Sequence, residues 1–226
     1  MKGSFKVIMK TLAVISCTAL FFSPGFAEPA NLSLVKKEIQ VYHDSGLYEK
    51  ELAQVIAQAR GYIVKEALAN SQSRNPKKLA VVLDIDETSL SNYDKMVKRD
   101  FVANRDQLHK EILAADAPAI APMLALYQDA LKHGVKVFFV TGRPLSELKA
   151  TRANLLRAGF NHWAGLYLRP DTYRQPSITP FKTQARKSIV NQGYTVIASI
   201  GDQDSDLKGG FMQKGFKLPN PFYHLP

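Results

Sequence analysis

Two acidic residues stand two positions apart directly after a short apolar run: Asp84 and Asp86 follow "LAVVL" (79–83). Like charges this close repel each other, and partly buried carboxylates are costly without a cation or hydrogen-bond donors. Either these two acidic residues lie at a solvated strand end, or a positively charged group binds next to them. A second acidic pair, Asp202 and Asp206, follows another apolar run in "GDQDSDL". Hard oxygen ligands of this kind suit Mg²⁺, which keeps several waters and a substrate phosphate as its remaining ligands.

Donors for a phosphate group follow two other apolar runs. "TGRP" (141–144) comes after the run 135–140, and Lys182 lies at the start of a helical pattern after the run 165–169. Lys182 and the backbone amides around Gly142 can donate hydrogen bonds to phosphate oxygens. A carboxylate nucleophile next to a second carboxyl group that shuttles protons is the arrangement needed for an aspartyl-phosphate intermediate. These residue types therefore predict phosphoryl transfer.

The elements that must position these residues follow from the hydrophobic pattern. Four short, continuously apolar, β-rich runs predict strands, at 79–84, 135–140, 165–169 and 195–201. Helical patterns separate them, at 119–133, 146–158 and 181–191. Apolar strands that alternate with helices predict an α/β fold, a Rossmann-like parallel sheet flanked by helices on both faces. Ligands of such sheets bind beyond the carboxyl ends of the strands, where the acidic and basic residues above would meet.

Two segments lie outside this alternation. Residues 32–70 carry apolar residues at three- and four-residue steps, which predicts N-terminal packing helices with a break at 44–46. Residues 92–118 come between the first strand and its crossover helix, and we expect them to form a small helical cap over the site. In the cap, Tyr93 and Phe101 could stack on a nucleobase or an aryl leaving group, although we favour packing within the cap.

The sequence resembles the haloacid dehalogenase (HAD) superfamily of phosphatases, whose four motifs occur in order. They are "DIDET" (84–88), "VFFVTGR" (137–143), Lys182 and "GDQDSD" (201–206). Together with "LYLRP" and "PFKTQARKSI", the motifs look like the class B/class C acid phosphatase branch, subfamily IIIB, which includes plant vegetative storage proteins. The resemblance implies the HAD fold and a role for each matching residue.

The acidic residues take the reacting and metal-binding roles. The resemblance implies that Asp84 attacks the phosphorus in line. Asp86 would protonate the leaving oxygen and then deprotonate the water that cleaves the aspartyl-phosphate. The resemblance also implies a Mg²⁺ site formed by Asp84, the backbone carbonyl of Asp86, and Asp202.

The remaining site residues hold the phosphoryl group or support the metal. The resemblance implies that Thr141 and the Gly142 amide hold the phosphoryl group, while Lys182 neutralises its charge. Arg143 either contacts phosphate or substrate, or forms a structural salt bridge. Asp206 supports the metal through water, orients Lys182, or caps the following turn.

The first 27 residues have the pattern of a signal peptide. An apolar stretch at 11–22 precedes small residues that end at Ala27, and the basic residues before it are Lys2, Lys6 and Lys10. We expect cleavage after Ala27, leaving 28–226 as the phosphatase domain, without a transmembrane segment. Lipidation of Cys17 is the alternative that we disfavour. Cys17 is also the single cysteine of the chain, so the exported domain, periplasmic or secreted, would contain no disulfide.

The chain carries a formal net charge of +10, which suits a solvated surface or the steering of small anions. The basic residues are scattered apart from "RNPKK" (74–78), so we expect no binding to a nucleic-acid polymer. The substrates predicted are small phosphomonoesters, and a homo-oligomer is compatible with the sequence.

The sequence therefore predicts an exported, Mg²⁺-dependent acid phosphatase of broad specificity, acting on nucleotides and aryl phosphates among others. We expect the highest activity at mildly acidic pH, because Asp86 must start protonated. The alternatives are a phosphotransferase that uses the same intermediate, and a non-catalytic ligand-binding or storage protein on the same fold.

Overall fold

The structure is a computed structural model and describes residues 29–225. It begins with two helices, α1 (Leu32–Asp44) and α2 (Leu47–Ser71), joined at Gly46, whose φ of 79° is the left-handed conformation that glycine adopts readily. The break expected at 44–46 is therefore present. The signal peptide expected at 1–27, with Cys17, lies outside the described residues.

The centre of the fold is one parallel sheet. Its strands are β1 (Lys78–Leu83), β2 (Lys136–Pro144), β3 (Gly165–Arg169), β4 (Tyr194–Gly201) and β5 (Lys214–Lys217). They pair in the order β3–β2–β1–β4–β5, and every pair is parallel. The α/β architecture predicted from the alternating pattern is confirmed.

Helices cover both faces of the sheet. The crossover helices are α5 (Ala121–Lys132), α6 (Leu148–Arg157) and α7 (Thr179–Asn191), and two shorter helices, α3 (Tyr93–Lys98) and α4 (Arg105–Leu113), precede α5. Alternate residues of β1 belong to different cores: Val81 and Leu83 pack with residues of α2 and α5, whereas Ala80 and Val82 pack with α7. This alternation explains why β1 is apolar without interruption, since both of its faces are buried.

Within residues 29–225, none of the helices combines the length and the apolar character that a membrane-spanning helix needs.

Two parts of the sheet differ from the sequence-based prediction. Strand β2 continues to Pro144, with a register shift between Thr141 and Pro144, so the "TGR" motif lies on the strand rather than after it. Strand β5 was not predicted, because its four residues contain a single buried apolar side chain, Phe216, which is too little for a periodic signal.

The segment 92–118, expected to form a cap, contains α3 and α4. It is tied to α6 and to the short turn that precedes α6. Asn154 of α6 donates from Nδ2 to the carbonyl of Ala117 over 2.7 Å, and the amide of Ala117 donates back to Asn154 Oδ1 over 3.2 Å. On α4, His109 Nδ1 lies 2.8 Å from Oε1 of the buried Glu147.

Candidate active site

The end of β1 places Asp84 at the carboxyl edge of the sheet. Its amide donates to the carbonyl of Ile200 on β4 over 3.0 Å, which continues the parallel ladder one residue past the strand. Its own carbonyl accepts a hydrogen bond from Ser89 Oγ over 2.6 Å. The side chain of Asp84 is buried and therefore has a fixed direction at the edge of the sheet.

Lys182 in the first turns of α7 reaches the same point. Its Nζ donates to Asp84 Oδ1 over 2.8 Å and to Asp206 Oδ1 over 2.5 Å, and all three side chains are buried. Burial disfavours the ammonium ion, but the charges of Asp84 and Asp206 raise the pKa of Lys182 above its ordinary value. The lysine is therefore a fixed positive charge next to the carboxylate predicted to be the nucleophile.

Asp202 lies at the end of β4 and is almost completely buried. Its Oδ1 accepts a hydrogen bond from Thr88 Oγ1 over 3.0 Å. Its Oδ2 accepts two amide hydrogens, one from Gln203 Nε2 and one from Asn220 Nδ2, each over 2.6 Å. None of these three donors has a role that the sequence predicted, although Thr88 is the threonine of the "DIDET" motif.

Three carboxylates converge at the sheet edge, because one oxygen each of Asp84, Asp202 and Asp206 lies within 4.8 Å of the other two. Burial and the neighbouring acids raise the pKa of Asp84 and of Asp206, against the lowering effect of Lys182. A divalent cation would favour the ionised form of these acids, and hard oxygen donors suit Mg²⁺. The residues present therefore fit the metal that the resemblance implies.

Gly201 leaves the space that Asp206 occupies. A Cβ at position 201 would lie 2.2 Å from the carboxyl carbon of Asp206, so a larger residue would displace that side chain. The carboxylate of Asp206 also accepts the backbone hydrogen of Gln203 over 2.9 Å, and the turn carbonyl of Asp206 accepts from the buried Arg186. Asp206 contacts Lys182, as the role of orienting that lysine requires. Its carboxylate caps its own turn at Gln203 rather than the following turn, which was the capping role considered from the sequence.

Asp86, two residues after Asp84, contacts Arg143 of β2. The guanidinium donates to Asp86 from Nη2 over 2.6 Å and from Nε over 3.0 Å, and Asn92 Nδ2 adds a third donor over 2.9 Å. Of the two alternatives for Arg143, the structure contains the salt bridge. Although burial raises the pKa of Asp86, the charge and hydrogen bonds of Arg143 lower it overall. This direction is opposite to the one that a protonated Asp86 requires.

Thr141 and Gly142 lie on β2 near Asp84. Thr141 is fully buried, and its Oγ1 accepts the backbone hydrogen of Arg143 over 3.1 Å. The carbonyl of Gly142 accepts from Arg169 Nε over 3.0 Å. A Cβ on Gly142 would come no closer than 3.8 Å to Ile178, so sterics alone do not require glycine at this position.

Glu87, to which the sequence analysis assigned no role, is also buried in this loop. Its Oε1 accepts the backbone hydrogen of Asn92 over 2.6 Å, and its Oε2 accepts from Tyr223 Oη over 2.8 Å. Burial, with the charges of Asp86 and Asp202, raises the pKa of Glu87 to about 8. The residue closes the loop after β1 and links it to the C-terminal part of the chain.

The aromatic side chains of the cap, Tyr93 and Phe101, are packed against other rings. Tyr93 stacks on His43, and its hydroxyl donates to Asp44 over 3.0 Å. Phe101 and Tyr93 both contact the ring of Phe222. Both rings are thus packed, but against α1 and the C-terminal segment rather than within the cap alone.

Comparison with known proteins supplies a family and a fold. The model of the HAD superfamily, subfamily IIIB (acid phosphatase), matches residues 9–226. Acid phosphatase 1 of Solanum lycopersicum is 37% identical over 148 residues, which are 64% of this chain and 58% of the relative. Vegetative storage protein 2 of Arabidopsis thaliana is 30% identical over 149 residues, which are 64% of this chain and 56% of the relative. The chain thus spans less than two thirds of the length of these curated relatives.

Among solved structures, the class C acid phosphatase of Bacillus anthracis has a similar fold. It superposes with a TM-score of 0.65 over 84% of this chain and 86% of that chain, at 22% sequence identity. At this identity the likeness concerns the fold, and it agrees with the sheet and helix arrangement described above.

Proposed function

The chain belongs to subfamily IIIB of the HAD superfamily, the acid phosphatases, and we propose that it hydrolyses small phosphomonoesters with Mg²⁺ through a phosphorylated Asp84. The observation that carries the proposal is the position of Lys182. Its ammonium group bridges Asp84 and Asp206 inside a cluster of buried carboxylates. A fixed cation beside a carboxylate at a sheet edge is suited to bind a phosphoryl group next to its attacking oxygen.

In the first step, a carboxylate oxygen of Asp84 attacks the phosphorus and the bond from phosphorus to the ester oxygen breaks. The departing oxygen takes a proton from Asp86. Lys182 neutralises charge on the phosphoryl oxygens, while Thr141 and the amide of Gly142 hold them. Phosphoryl transfer depends mainly on such positioning and charge stabilisation, since little covalent assistance is needed.

In the second step, water attacks the phosphorus of the aspartyl-phosphate and gives its proton to Asp86. The bond from phosphorus to Asp84 breaks, which releases inorganic phosphate and restores both carboxyl groups. Asp86 can act as an acid only after it takes up a proton. A phosphate dianion that competes for Arg143 would weaken the salt bridge of Asp86 and raise its pKa, which favours that uptake.

The carboxylates of Asp84, Asp202 and Asp206, with the backbone carbonyl of Asp86, are the groups that we propose to hold Mg²⁺ or water bound to it. When bound, the ion would polarise the phosphoryl oxygens and neutralise developing charge. Their oxygen-only donor set favours Mg²⁺ over softer metals.

We propose a broad range of phosphomonoesters, including nucleotides and aryl phosphates, because the cap consists of two short helices. In an assay of many esters, activities within about two orders of magnitude of one another would support this breadth. A single ester preferred far beyond that range would contradict it.

We also propose that residues 1–27 direct export to the periplasm or the medium, and that 28–226 is the working domain. The N-terminal residue of the exported protein tests this. Glu28 supports cleavage after Ala27, whereas a lipidated Cys17 supports the alternative of an anchor.

The first testable prediction concerns metal removal. We expect the purified protein to hydrolyse p-nitrophenyl phosphate, to lose this activity after dialysis against EDTA, and to regain it when Mg²⁺ is added, because three buried carboxylates need a counter-cation to bind a phosphate dianion. Release of p-nitrophenol, followed from about pH 4 to 8, also gives the pH optimum.

The same assay separates the alternatives. Full activity in the continued presence of EDTA would contradict the Mg²⁺ requirement. Release of p-nitrophenol in excess of inorganic phosphate, when an alcohol is added as acceptor, would indicate phosphotransfer. A folded protein that binds Mg²⁺ but releases no p-nitrophenol would support the hypothesis of a non-catalytic ligand-binding or storage protein.

A further inference from the structure

The C-terminal segment 218–225 runs along the active site, although it contains none of the four motifs. The amide of Leu218 donates to the carbonyl of Gly201 over 2.9 Å, so the segment leaves β5 beside the end of β4. Farther along, the buried ring of Phe222 contacts the rings of Tyr48 and Tyr93. The segment is thus held on its apolar side by α2 and the cap, while Asn220 contacts Asp202 and Tyr223 contacts Glu87.

The side chain of Asn220 has a fixed orientation within this segment. Its Oδ1 accepts the backbone hydrogens of Phe222 over 2.8 Å and Tyr223 over 3.3 Å. An amide oxygen that accepts two backbone hydrogens cannot exchange places with the amide nitrogen without losing both bonds. The nitrogen must therefore point to Asp202, and Nδ2 donates to Asp202 Oδ2 over 2.6 Å.

A second amide repeats this arrangement. Gln203 accepts the backbone hydrogen of Leu225 at Oε1 over 3.0 Å and donates from Nε2 to the same Asp202 Oδ2 over 2.6 Å. Both amides connect the backbone of the C-terminal segment to one carboxylate oxygen. The conformation of residues 220–225 therefore contributes to the direction of the Asp202 carboxylate, together with Thr88.

We propose that Asn220 is a positioning residue that orients Asp202 for metal binding, an inference that rests on the function proposed above. Two amide hydrogens occupy Asp202 Oδ2, while Oδ1 accepts one hydroxyl hydrogen from Thr88 and keeps acceptor capacity for a cation. Partners that orient a metal ligand typically contribute 10–100-fold to metal affinity or activity. Asn220 contacts Asp202, a proposed metal ligand, so we expect its effect to fall on metal binding.

The test compares Mn²⁺ binding by the wild-type protein and Asn220→Ala, with free Mn²⁺ followed by electron paramagnetic resonance in the absence of substrate. We expect the dissociation constant to rise about 10–100-fold. The Mg²⁺ concentration that half-activates p-nitrophenyl phosphate hydrolysis should rise by a similar factor, with kcat at saturating Mg²⁺ within a few-fold of wild type. A residue with a merely structural role would instead lower the folded fraction and leave these metal constants unchanged.

Two further variants keep the result interpretable. Asn220→Ser retains an oxygen that can accept the backbone hydrogens of the turn but is too short to reach Asp202, so we expect it to weaken Mn²⁺ binding even if Asn220→Ala folds poorly. His224→Ala changes an exposed side chain of the same segment and should bind Mn²⁺ as the wild type does.

The outcomes separate this inference from the proposed function. If the wild-type protein binds Mn²⁺ and the folded Asn220→Ser variant binds it equally well, the role of Asn220 is overturned. The proposed function is not affected by that result. A wild-type protein that binds no Mn²⁺ would overturn the metal requirement, and with it the inference.

Discussion

Asp84→Asn is expected to abolish hydrolysis of p-nitrophenyl phosphate while leaving the fold intact. The amide has nearly the same shape as the carboxylate but is not a nucleophile, so no phosphorylated intermediate can form. Removal of one well-placed donor typically costs about 10²–10³ in rate, and loss of the attacking atom should cost more. The measurement is kcat at saturating Mg²⁺, with thermal unfolding as the check on folding.

The matched control for this variant is Asp204→Asn, which changes an exposed carboxylate in the neighbouring turn. We expect its kcat to stay within a few-fold of the wild-type value. An asparagine at position 84 can deamidate back to aspartate, whereas an alanine cannot. Asp84→Ala should therefore be equally inactive and serves as the check on reversion. Hydrolysis by both position-84 variants well above background would show that Asp84 is not the nucleophile.

Lys182→Met is expected to reduce both activity and stability. Loss of the ammonium group removes the charge that faces the phosphoryl oxygens, at a cost of about 10²–10³ in kcat/KM. It also leaves Asp84 and Asp206 buried without their shared partner, and breaking a buried ion pair in this way typically costs about 3–5 kcal/mol of unfolding free energy. Steady-state kinetics and denaturant unfolding measure the two effects.

Lys187→Met is the matched control because Lys187 is an exposed lysine of the same helix. It should be close to wild type in both measurements. Added Mg²⁺ should recover part of the stability lost in Lys182→Met, since the cation compensates the same carboxylates. If Lys182→Met retained wild-type kcat/KM, the charge of Lys182 would have no part in catalysis.

The sheet and the position of its acidic residues could be predicted from sequence because both depend on local patterns. Each strand that is buried on both faces is a continuous apolar run, and parallel strands place the residues that follow them at one edge. Asp84 and Asp202 therefore lie together as expected. Lys182 joins them because α7 begins at the same edge.

The groups that orient Asp202 could not be predicted in this way. Asn220 is eighteen positions from Asp202, after a strand of four residues, and a single asparagine in a turn has no periodic signal. Gln203 is adjacent to Asp202 in sequence, but the direction of its side chain depends on the backbone of Leu225. Such contacts arise from tertiary packing and leave little trace in local sequence.

The pairing of Asp86 with Arg143 shows a second limit. The sequence left Arg143 open between a substrate contact and a salt bridge, and it predicted a protonated Asp86 from the chemistry alone. Although burial raises the pKa of Asp86, the bidentate contact with Arg143 lowers it overall. The charge of Arg143 thus gives the pKa of Asp86 a direction that the motif alone does not indicate.

The measurement that tests the central proposal most directly is to trap the phosphoryl group on Asp84. In Asp86→Asn the water of the second step has no base, whereas p-nitrophenolate can leave in the first step without a proton. The intermediate should therefore accumulate. The variant is mixed with p-nitrophenyl phosphate and Mg²⁺, quenched in acid, and analysed by peptide mass spectrometry beside Asp84→Asn.

We predict a burst of p-nitrophenol equivalent to one per active site, followed by slow turnover, and a phosphoryl group on the peptide that contains Asp84. Asp84→Asn should show neither. A burst without modification of that peptide, or a phosphoryl group found on another residue, would contradict nucleophilic attack by Asp84.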